Sequence, residues 1–268
     1  DLLVGVSGFT GGQSGEGAML LFYGSESGLP PGTAGVREID SATAGLGFSV
    51  SPAGDVNGDG VQDILVGAPL YDEGALDRGK AFLYLGYPGG FSSMPVWSYT
   101  GDGSGTQLGF SVAGGGDVNG DGFDDIFVAA PFFSNGEDEE GAAFGFYGAA
   151  DGPDTTPDWT AEGNLPNAQF GTGLAVAGDV NNNGFDDVIV GAPFMDDGVD
   201  AFANEGQARI FFGTPEGLLP LANWAADPNS ANARFGYAVA PAGDVNNDGY
   251  DDVIIGAPGF SNNPNGEG

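Results

Sequence analysis

The 268-residue chain contains no cysteine and no histidine. Their absence excludes disulfides, thiol catalysis, zinc sites built from these residues, and every Ser–His or Cys–His catalytic pair. Only 5 residues are basic against 38 acidic ones, so the formal net charge is −33. Nucleic acids and anionic membrane surfaces are bound through clustered Lys and Arg, and neither is expected as a partner. No run of 18 apolar residues occurs, so membrane insertion is not expected either.

Glycine, in contrast, is abundant, with 52 residues in the chain. A hydrophobic content of 41% and an aromatic content of 12% are too high for a disordered chain. Many glycines together with many aromatic residues are typical of short β-strands joined by tight turns. The composition therefore predicts an all-β fold.

A repeated acidic segment organises the chain. Asp-Val-Asn-Gly-Asp-Gly at 55–60 recurs in closely related form at 117–122, 179–184 and 244–249, at spacings of 62, 62 and 65 residues. An apolar residue followed by Gly precedes each copy, and an apolar stretch ending in Pro follows it. Each unit contains four apolar strand segments and no helical periodicity, which predicts a β-propeller built from four-stranded antiparallel blades. Trp97, Trp159 and Trp224 recur at one repeat position, which favours a core role over sugar stacking.

These motifs resemble FG-GAP repeats, the blades of integrin α-subunit propellers and of their bacterial relatives. Gly-Ala-Pro stands at 67–69, 191–193 and 256–258, and only Ala129 departs from the pattern. The resemblance covers essentially the whole chain. It implies a calcium-dependent, non-catalytic and extracellular propeller, in which a complete ring has seven blades.

The repeat also predicts the blade boundaries. One propeller fragment, 1–268, divides into a partial blade at 1–45, blades at 46–107, 108–169 and 170–234, and a partial blade at 235–268. Asp1 aligns with Asp63, and the Gly-Glu-Gly at 266–268 matches that at 15–17. The count is then 17 strands, which is not a multiple of four, so we expect an incomplete ring that belongs to a longer polypeptide.

Each acidic segment offers oxygen ligands in the spacing that Ca²⁺ requires. Positions 1, 3, 5 and 9 carry Asp or Asn, position 6 is Gly, and position 7 presents a backbone carbonyl. We expect one Ca²⁺ in each of the four loops and a fifth, partial site at Asp1. The predicted ligands are Asp55, Asn57, Asp59, Val61 and Asp63; Asp117, Asn119, Asp121, Phe123 and Asp125; Asp179, Asn181, Asn183, Phe185 and Asp187; and Asp244, Asn246, Asp248, Tyr250 and Asp252.

The two alternatives to this calcium assignment are an EF-hand loop and a simple acidic turn. An EF-hand needs a bidentate Glu at position 12 and a following helix, but Val or Ile stands there inside an apolar strand. Simple acidic turns would not require four copies in register. The third loop has Asn183 where the others have Asp, so its site is expected to be the weakest. The acidic residues beside the ninth ligand, Asp124, Asp186 and Asp251, are expected to point into solvent.

The opposite ends of the blades carry acidic connections at 70–78, 132–140 and 194–205. They predict either a binding face for a protein or glycan ligand that is cationic or bridged by a cation, or an acidic surface that promotes solubility. The preferred function is a calcium-stabilised, non-catalytic adhesion or scaffold module of a larger surface or filament protein. The alternatives are a carbohydrate-binding propeller, or a calcium-dependent propeller lyase or hydrolase that uses carboxylate pairs near 137–140.

The localisation expected from the sequence is outside the cell. Extracellular calcium modules bind with dissociation constants of about 10⁻⁴ to 10⁻³ M, and such sites are not filled in the cytosol. The lack of cysteine and of any Asn-x-Ser/Thr glycosylation signal favours a bacterial secreted or cell-surface protein.

Overall fold

The computed structural model describes residues 1–196 and 203–261. Asp197 and Asp200 of the acidic connection at 194–205, and the Gly-Glu-Gly at 266–268 that entered the strand count, lie outside these ranges. Within them the chain forms β-strands and no helix. The strands are β1 (Leu2–Val6), β2 (Ala18–Phe22), β3 (Gly35–Glu38), β4 (Ser49–Gly54), β5 (Asp63–Ala68), β6 (Lys80–Tyr84), β7 (Gly86–Tyr87), β8 (Gly90–Phe91), β9 (Trp97–Thr100), β10 (Ser111–Gly116), β11 (Asp125–Ala130), β12 (Ala142–Phe146), β13 (Trp159–Glu162), β14 (Gly173–Gly178), β15 (Asp187–Ala192), β16 (Gln207–Phe211), β17 (Trp224–Ala226), β18 (Ala238–Gly243) and β19 (Asp252–Gly256).

The strands form antiparallel sheets in chain order. Sheet 1 is β1-β2-β3, sheet 2 is β4-β5-β6-β9, sheet 3 is β10-β11-β12-β13, sheet 4 is β14-β15-β16-β17, and sheet 5 is β18-β19. The all-β prediction and the four-stranded antiparallel units are confirmed. The sequence pattern did not predict the short hairpin of β7 and β8, which have two residues each and lie between the third and fourth strands of sheet 2.

The sheets pack against one another in sequence order. The first strands lie side by side, since β4 contacts β10, β10 contacts β14, and β14 contacts β18. A separate hydrophobic core fills each gap between neighbouring sheets. The second strands β5, β11 and β15 are buried along their whole length, as expected for strands with a sheet on either side. This stacking of neighbouring sheets is the packing of propeller blades.

Neighbouring sheets approach most closely where a Gly of one faces a Gly of the next. A Cβ on Gly67 would lie 1.9 Å from the carbonyl oxygen of Gly109. The same clash would arise between Gly5 and Gly47 and between Gly191 and Gly236. Only glycine permits this approach of two backbones, so the two glycines act as one contact at these three places, whereas between sheets 3 and 4 Gly171 faces Ala129.

The recurring tryptophans close the gaps between sheets. Trp97 and Trp159 are buried, and the indole Nε1 of Trp159 donates a hydrogen bond to the carbonyl of Leu219 in the next sheet at 3.1 Å. The Trp159 ring stands edge-on to Phe211 with centroids 4.9 Å apart. Trp224 differs, because it is 39% exposed. The expected core role therefore holds fully for two of the three tryptophans.

We expect Trp159→Phe to lower the free energy of unfolding by about 2–3 kcal/mol, because it removes buried ring area and the bond to Leu219. Trp224→Phe is the matched control and should change it by less than about 1 kcal/mol, because that ring is already partly exposed. Denaturant unfolding of both variants measures the difference. Equal losses would show that Trp159 does not hold sheets 3 and 4 together.

Candidate functional site

Four acidic loops connect the first and second strands of sheets 2 to 5. They are loop 1 (55–63), loop 2 (117–125), loop 3 (179–187) and loop 4 (244–252), and all four lie at the same end of their sheets. A β-bulge ends the first strand immediately before each loop. The Gly at position 6 has a φ between 87° and 92° in every loop, a conformation that other residues rarely adopt. The local geometry therefore matches the tight turn that the sequence predicted.

Side-chain oxygens at positions 1, 3 and 5 hold the turn from within. In loop 1 the Asp55 carboxylate accepts hydrogen bonds from the amides of Asp59 at 3.0 Å and Gly60 at 2.7 Å. Asn57 Oδ1 accepts from the Asp59 amide, and Asp59 Oδ1 accepts from the Val61 amide. Loop 2 repeats all of these bonds. The chain thus curls around its own oxygen donors through Asx-type turns.

The ninth residue joins the loop to the third strand. Asp125 accepts from the amides of Val118 at 2.9 Å and Gly148 at 2.8 Å, and Asp63 and Asp187 do the same at their equivalent positions. Asp1 accepts from the Gly24 amide in the same way, as its alignment with Asp63 predicts. These carboxylates are cross-braces as well as candidate ligands.

Burial perturbs these cross-bracing carboxylates. Asp125 is fully buried, and loss of solvation raises its pKa to about 7 despite the hydrogen bonds from Gly148 and Val118, which lower it. Burial likewise raises the pKa of Asp63 and that of Asp187 to about 6. Repulsion from the carboxylates at positions 1 and 5 adds to the pKa of Asp63 and of Asp125. A bound cation would relieve both effects.

Loop 3 departs from loops 1 and 2. The Asn181 amide donates to the Asp187 carboxylate at 3.2 Å, and the Asn183 amide donates to the carbonyl of Gly213 at 3.0 Å. Asn183 Oδ1 still accepts from the Phe185 amide, so the turn itself is kept. Loop 3 has one carboxylate fewer around the same turn, and its weaker calcium affinity remains a prediction.

The acidic residues at position 8 do not point into solvent, and that expectation is wrong. Asp124 accepts a hydrogen bond from the Asp55 amide at 2.6 Å, across the gap to the preceding sheet. Asp186 does the same for Asp117 at 2.9 Å, and Asp251 for Asp179 at 3.0 Å. We call each of these contacts an inter-sheet clasp. The preceding Gly leaves the space, since a Cβ on Gly54 would lie 2.2 Å from the Asp124 carboxylate.

We expect Asp186→Ala to lower the free energy of unfolding by about 2 kcal/mol, because the half-buried Asp117 amide loses its charged acceptor. Asp151→Ala is the control, since it removes the same charge from an exposed position and should change stability by less than about 0.5 kcal/mol. Chemical denaturation at fixed ionic strength compares the two. A similar result for both would mean that the clasp adds nothing beyond its charge.

No group of three or more acidic side chains is gathered into a ready metal centre in residues 1–196 and 203–261. The hydrogen bonds give a reason, because the ninth Asp directs its oxygens to two backbone amides. The donors that remain around each turn are carboxylate, amide and carbonyl oxygens. These are hard ligands that fit Ca²⁺ and do not suit a soft metal.

The opposite end of the sheets contains buried acids, two of which, Glu140 and Glu205, were expected on an acidic face. Glu140 is 1% exposed and accepts from the amides of Asn135 at 2.7 Å and Asn164 at 3.2 Å. Glu16 is fully buried and caps three amides of its own connection. Glu205 is also buried. A Glu directly before Gly in three repeats was the signal that could have identified them. Glu137 and Asp138 are exposed as expected.

Exposed aromatic residues lie among these acidic connections. Phe48 is 50% exposed, and its ring lies 4.9 Å from that of Phe110. Phe110 in turn contacts Phe132 at 6.1 Å. We call Phe48, Phe110 and Phe132 the aromatic patch. It adjoins the connections that carry Asp72, Glu73, Glu137 and Asp138, all of which are exposed.

Comparison with known proteins agrees with this architecture. The family model described as FG-GAP repeat matches residues 46–105, 108–145, 170–211 and 235–268, which is more than half of the chain. The chain belongs to the FG-GAP repeat family. The four matches begin at the Leu/Phe-Gly pairs of sheets 2 to 5, and each includes one acidic loop.

Similar proteins are integrin α chains. The chain is 33% identical to integrin alpha-V of Gallus gallus over 233 residues, which is 80% of this chain and 20% of that protein. It is 39% identical to integrin alpha-IIb of Mus musculus over 154 residues, 55% of this chain and 15% of that protein. Integrin alpha-PS2 of Drosophila melanogaster is 30% identical over 229 residues, 79% of this chain and 15% of that protein. The FG-GAP chain thus spans a fifth or less of these relatives. Its described part contains no helix long and apolar enough to cross a membrane.

Proposed function

We propose that this FG-GAP chain is a calcium-stabilised, non-catalytic protein-interaction module of a larger surface or filament protein outside the cell. Similarity to integrin α chains supports an adhesion or scaffold role. An acid–base enzyme would use the carboxylates near 137–140. Glu140 instead accepts hydrogen bonds from backbone amides, which supports a non-catalytic role. No observation favours the lyase or hydrolase alternative.

Calcium is proposed to bind once in each of loops 1 to 4. The ligands would be the side chains at positions 1, 3, 5 and 9 and the carbonyl at position 7, with the ninth residue still bound to the third strand. Such an ion neutralises the carboxylates of each turn and fixes the first strand to the second. The affinity typical of extracellular calcium modules supports placement outside the cell, because cytosolic calcium would not fill the loops.

The partner face is proposed to be the aromatic patch and the acidic connections beside it. An exposed Phe48 ring packed on the half-buried Phe110 ring within an acidic surface suits a Lys or Arg side chain, which gains cation–π contact and charge attraction together. This juxtaposition is the single observation that carries the proposal. A partner presenting a cationic side chain on a protruding segment fits it.

A displayed library of random peptides, selected against the full-length chain in calcium, tests the proposed face. We expect the enriched peptides to contain Arg or Lys, and their affinity to fall about tenfold or more in the Phe48→Ala, Phe110→Ala double variant. Asp151→Asn removes an exposed charge outside the patch and should leave affinity unchanged. Enriched peptides that bind the double variant as tightly as the parent chain, or no enrichment at all, would contradict the assignment of this face.

A further inference from the structure

The gap between sheets 3 and 4 breaks the symmetry of the repeat. Between sheets 2 and 3, Tyr99 and Phe144 fill the outer part of the gap with ring centroids 5.7 Å apart. At the equivalent positions one sheet later stand Ala161 and Arg209. Two rings are therefore replaced by a methyl group and a guanidinium, and a cavity of about 430 Å³ lies at this place.

Arg209 forms no ion pair with any acidic residue in the described part of the chain. Its Nε donates to Gln207 Oε1 at 2.7 Å, its Nη2 lies 3.2 Å from the sulfur of Met195, and its Cζ lies 5.6 Å from the Phe170 ring centroid. The single ion pair in residues 1–196 and 203–261 joins Lys80 to Glu73. Burial lowers the pKa of Arg209, so its charge is held at a desolvation cost that no carboxylate offsets.

Arg37 is a guanidinium whose hydrogen-bond donors have backbone acceptors. It occupies the position equivalent to Tyr99 in sheet 1, stacks on Phe91, and donates to three backbone carbonyls. Arg78 donates to the carbonyls of Gly101 and Glu73. Arg209 has no such carbonyl acceptor in the described part of the chain. Arg209 lines the cavity at the place where the gap between sheets 2 and 3 holds the Phe144 ring.

We propose that this cavity is a binding site for a small monocarboxylate with an apolar stem, whose carboxylate pairs with the Arg209 guanidinium. Ala161, Phe211 and Leu221 supply apolar walls, and Leu221 is 78% exposed at the rim. Most of the remaining lining is polar, with Thr160, Glu162 and Asn164 beside Arg209, and a volume of a few hundred Å³ is in the range of small-molecule sites. A planar guanidinium is the side chain best matched to a carboxylate.

Glu162 sets the charge that the site accepts. It lines the cavity, and its carboxylate accepts hydrogen bonds from the Asn135 side chain at 3.1 and 3.3 Å. A ligand with a second negative charge would meet this carboxylate, and the net charge of −33 adds to the repulsion. A monoanion is therefore favoured over a dianion.

Titration of the full-length chain with phenylacetate, followed by NMR at constant ionic strength, tests the site. We expect saturable binding with a dissociation constant of about 1 mM, and about tenfold or weaker binding of the neutral isostere phenylacetamide and of the dianion phenylmalonate. Arg209→Gln should weaken phenylacetate binding about 10- to 100-fold. Arg234→Gln removes the same charge from an exposed position and should leave binding within about twofold of the parent chain.

A variant whose side chains fill the cavity distinguishes loss of phenylacetate binding from loss of folding. Ala161→Tyr with Arg209→Phe reproduces the Tyr99–Phe144 pair, so it should fold with an unchanged or higher Tm and bind no phenylacetate. Phenylacetate should raise the Tm of the parent chain and leave the Tm of this variant unchanged. The proposal is overturned by equal binding of phenylacetate and phenylacetamide, by an Arg209→Gln variant within about twofold of the parent, or by no saturation up to about 20 mM. None of these outcomes affects the calcium loops or the aromatic patch.

Discussion

Removing calcium with excess chelator is expected to lower the Tm of the chain by about 12–24 °C. Each of the four loops would lose the binding energy of its ion, about 1.4 kcal/mol at a calcium concentration ten times the dissociation constant. The four loops together then contribute about 6 kcal/mol, and a domain of this size loses about 2–4 °C per kcal/mol. Differential scanning calorimetry in calcium and in chelator measures the shift.

Screening of the net charge of −33 must be separated from specific binding. Any added salt reduces the repulsion among 38 acidic residues, so NaCl at equal ionic strength and Mg²⁺ at equal concentration are the controls. Mg²⁺ requires a smaller octahedral site and should restore little of the lost Tm. If Mg²⁺ or NaCl restores the Tm as fully as calcium does, the loops are acidic turns and the calcium proposal fails. Asn183→Asp should increase the calcium-dependent gain, because it supplies loop 3 with its missing carboxylate.

Asp125→Asn is expected to lower the free energy of unfolding by about 2 kcal/mol in chelator, and by about 1 kcal/mol more in calcium, where it also removes a proposed ligand of loop 2. The carboxylate accepts hydrogen bonds from two buried amides, and an asparagine side chain has one acceptor oxygen, so one amide would face an NH₂ group. The measurement belongs at pH 8, above the pKa of about 7, where the parent side chain is ionised; because burial raises this pKa, the parent is less stable at pH 8 than at pH 5, and this cost of the buried charge limits the loss in the variant. Denaturant unfolding under both conditions gives the comparison.

Asp121→Asn is the matched control in the same loop. Asp121 is exposed and receives hydrogen bonds from the Phe123 amide and the Asn119 side chain, which an asparagine oxygen can still accept in part. This variant should unfold like the parent in chelator, within about 0.5 kcal/mol, and lose stability only in calcium. If the Asp125→Asn variant and the parent have equal free energies of unfolding in chelator, the ninth residue has no cross-bracing role.

The repeat and its strands were predictable because they depend on local patterns. Period-two and fully apolar segments, the Gly at position 6 and the in-register acidic turns are all visible within about ten residues of sequence. The recurring Trp and the glycines of the FG-GAP motif were visible too, although the contact between Gly67 and Gly109 that requires the glycines was not. This explains why the sheets match the expected order from β4 to β19.

Contacts between sheets were harder to predict. Asp124 and Asp55 are 69 residues apart, and their hydrogen bond depends on how sheet 3 lies against sheet 2. Gln62 at the equivalent position in loop 1 made the charge at position 8 look dispensable. The burial of Glu140 was not predictable either, because composition does not distinguish a buried carboxylate from its exposed neighbours.

The inter-sheet clasps all run in one direction, from each sheet to the acidic loop that precedes it in the chain. Asp186 supports loop 2 through Asp117, and Asp251 supports loop 3 through Asp179. We expect loss of one clasp to weaken the loop of the preceding sheet, although the Asp186 amide would still donate to the Asp117 carbonyl. Loss of Asp186 should speed amide hydrogen exchange at Asp117 while Asp179 keeps its protection, so structural damage in this fold has a polarity that runs toward the N-terminus.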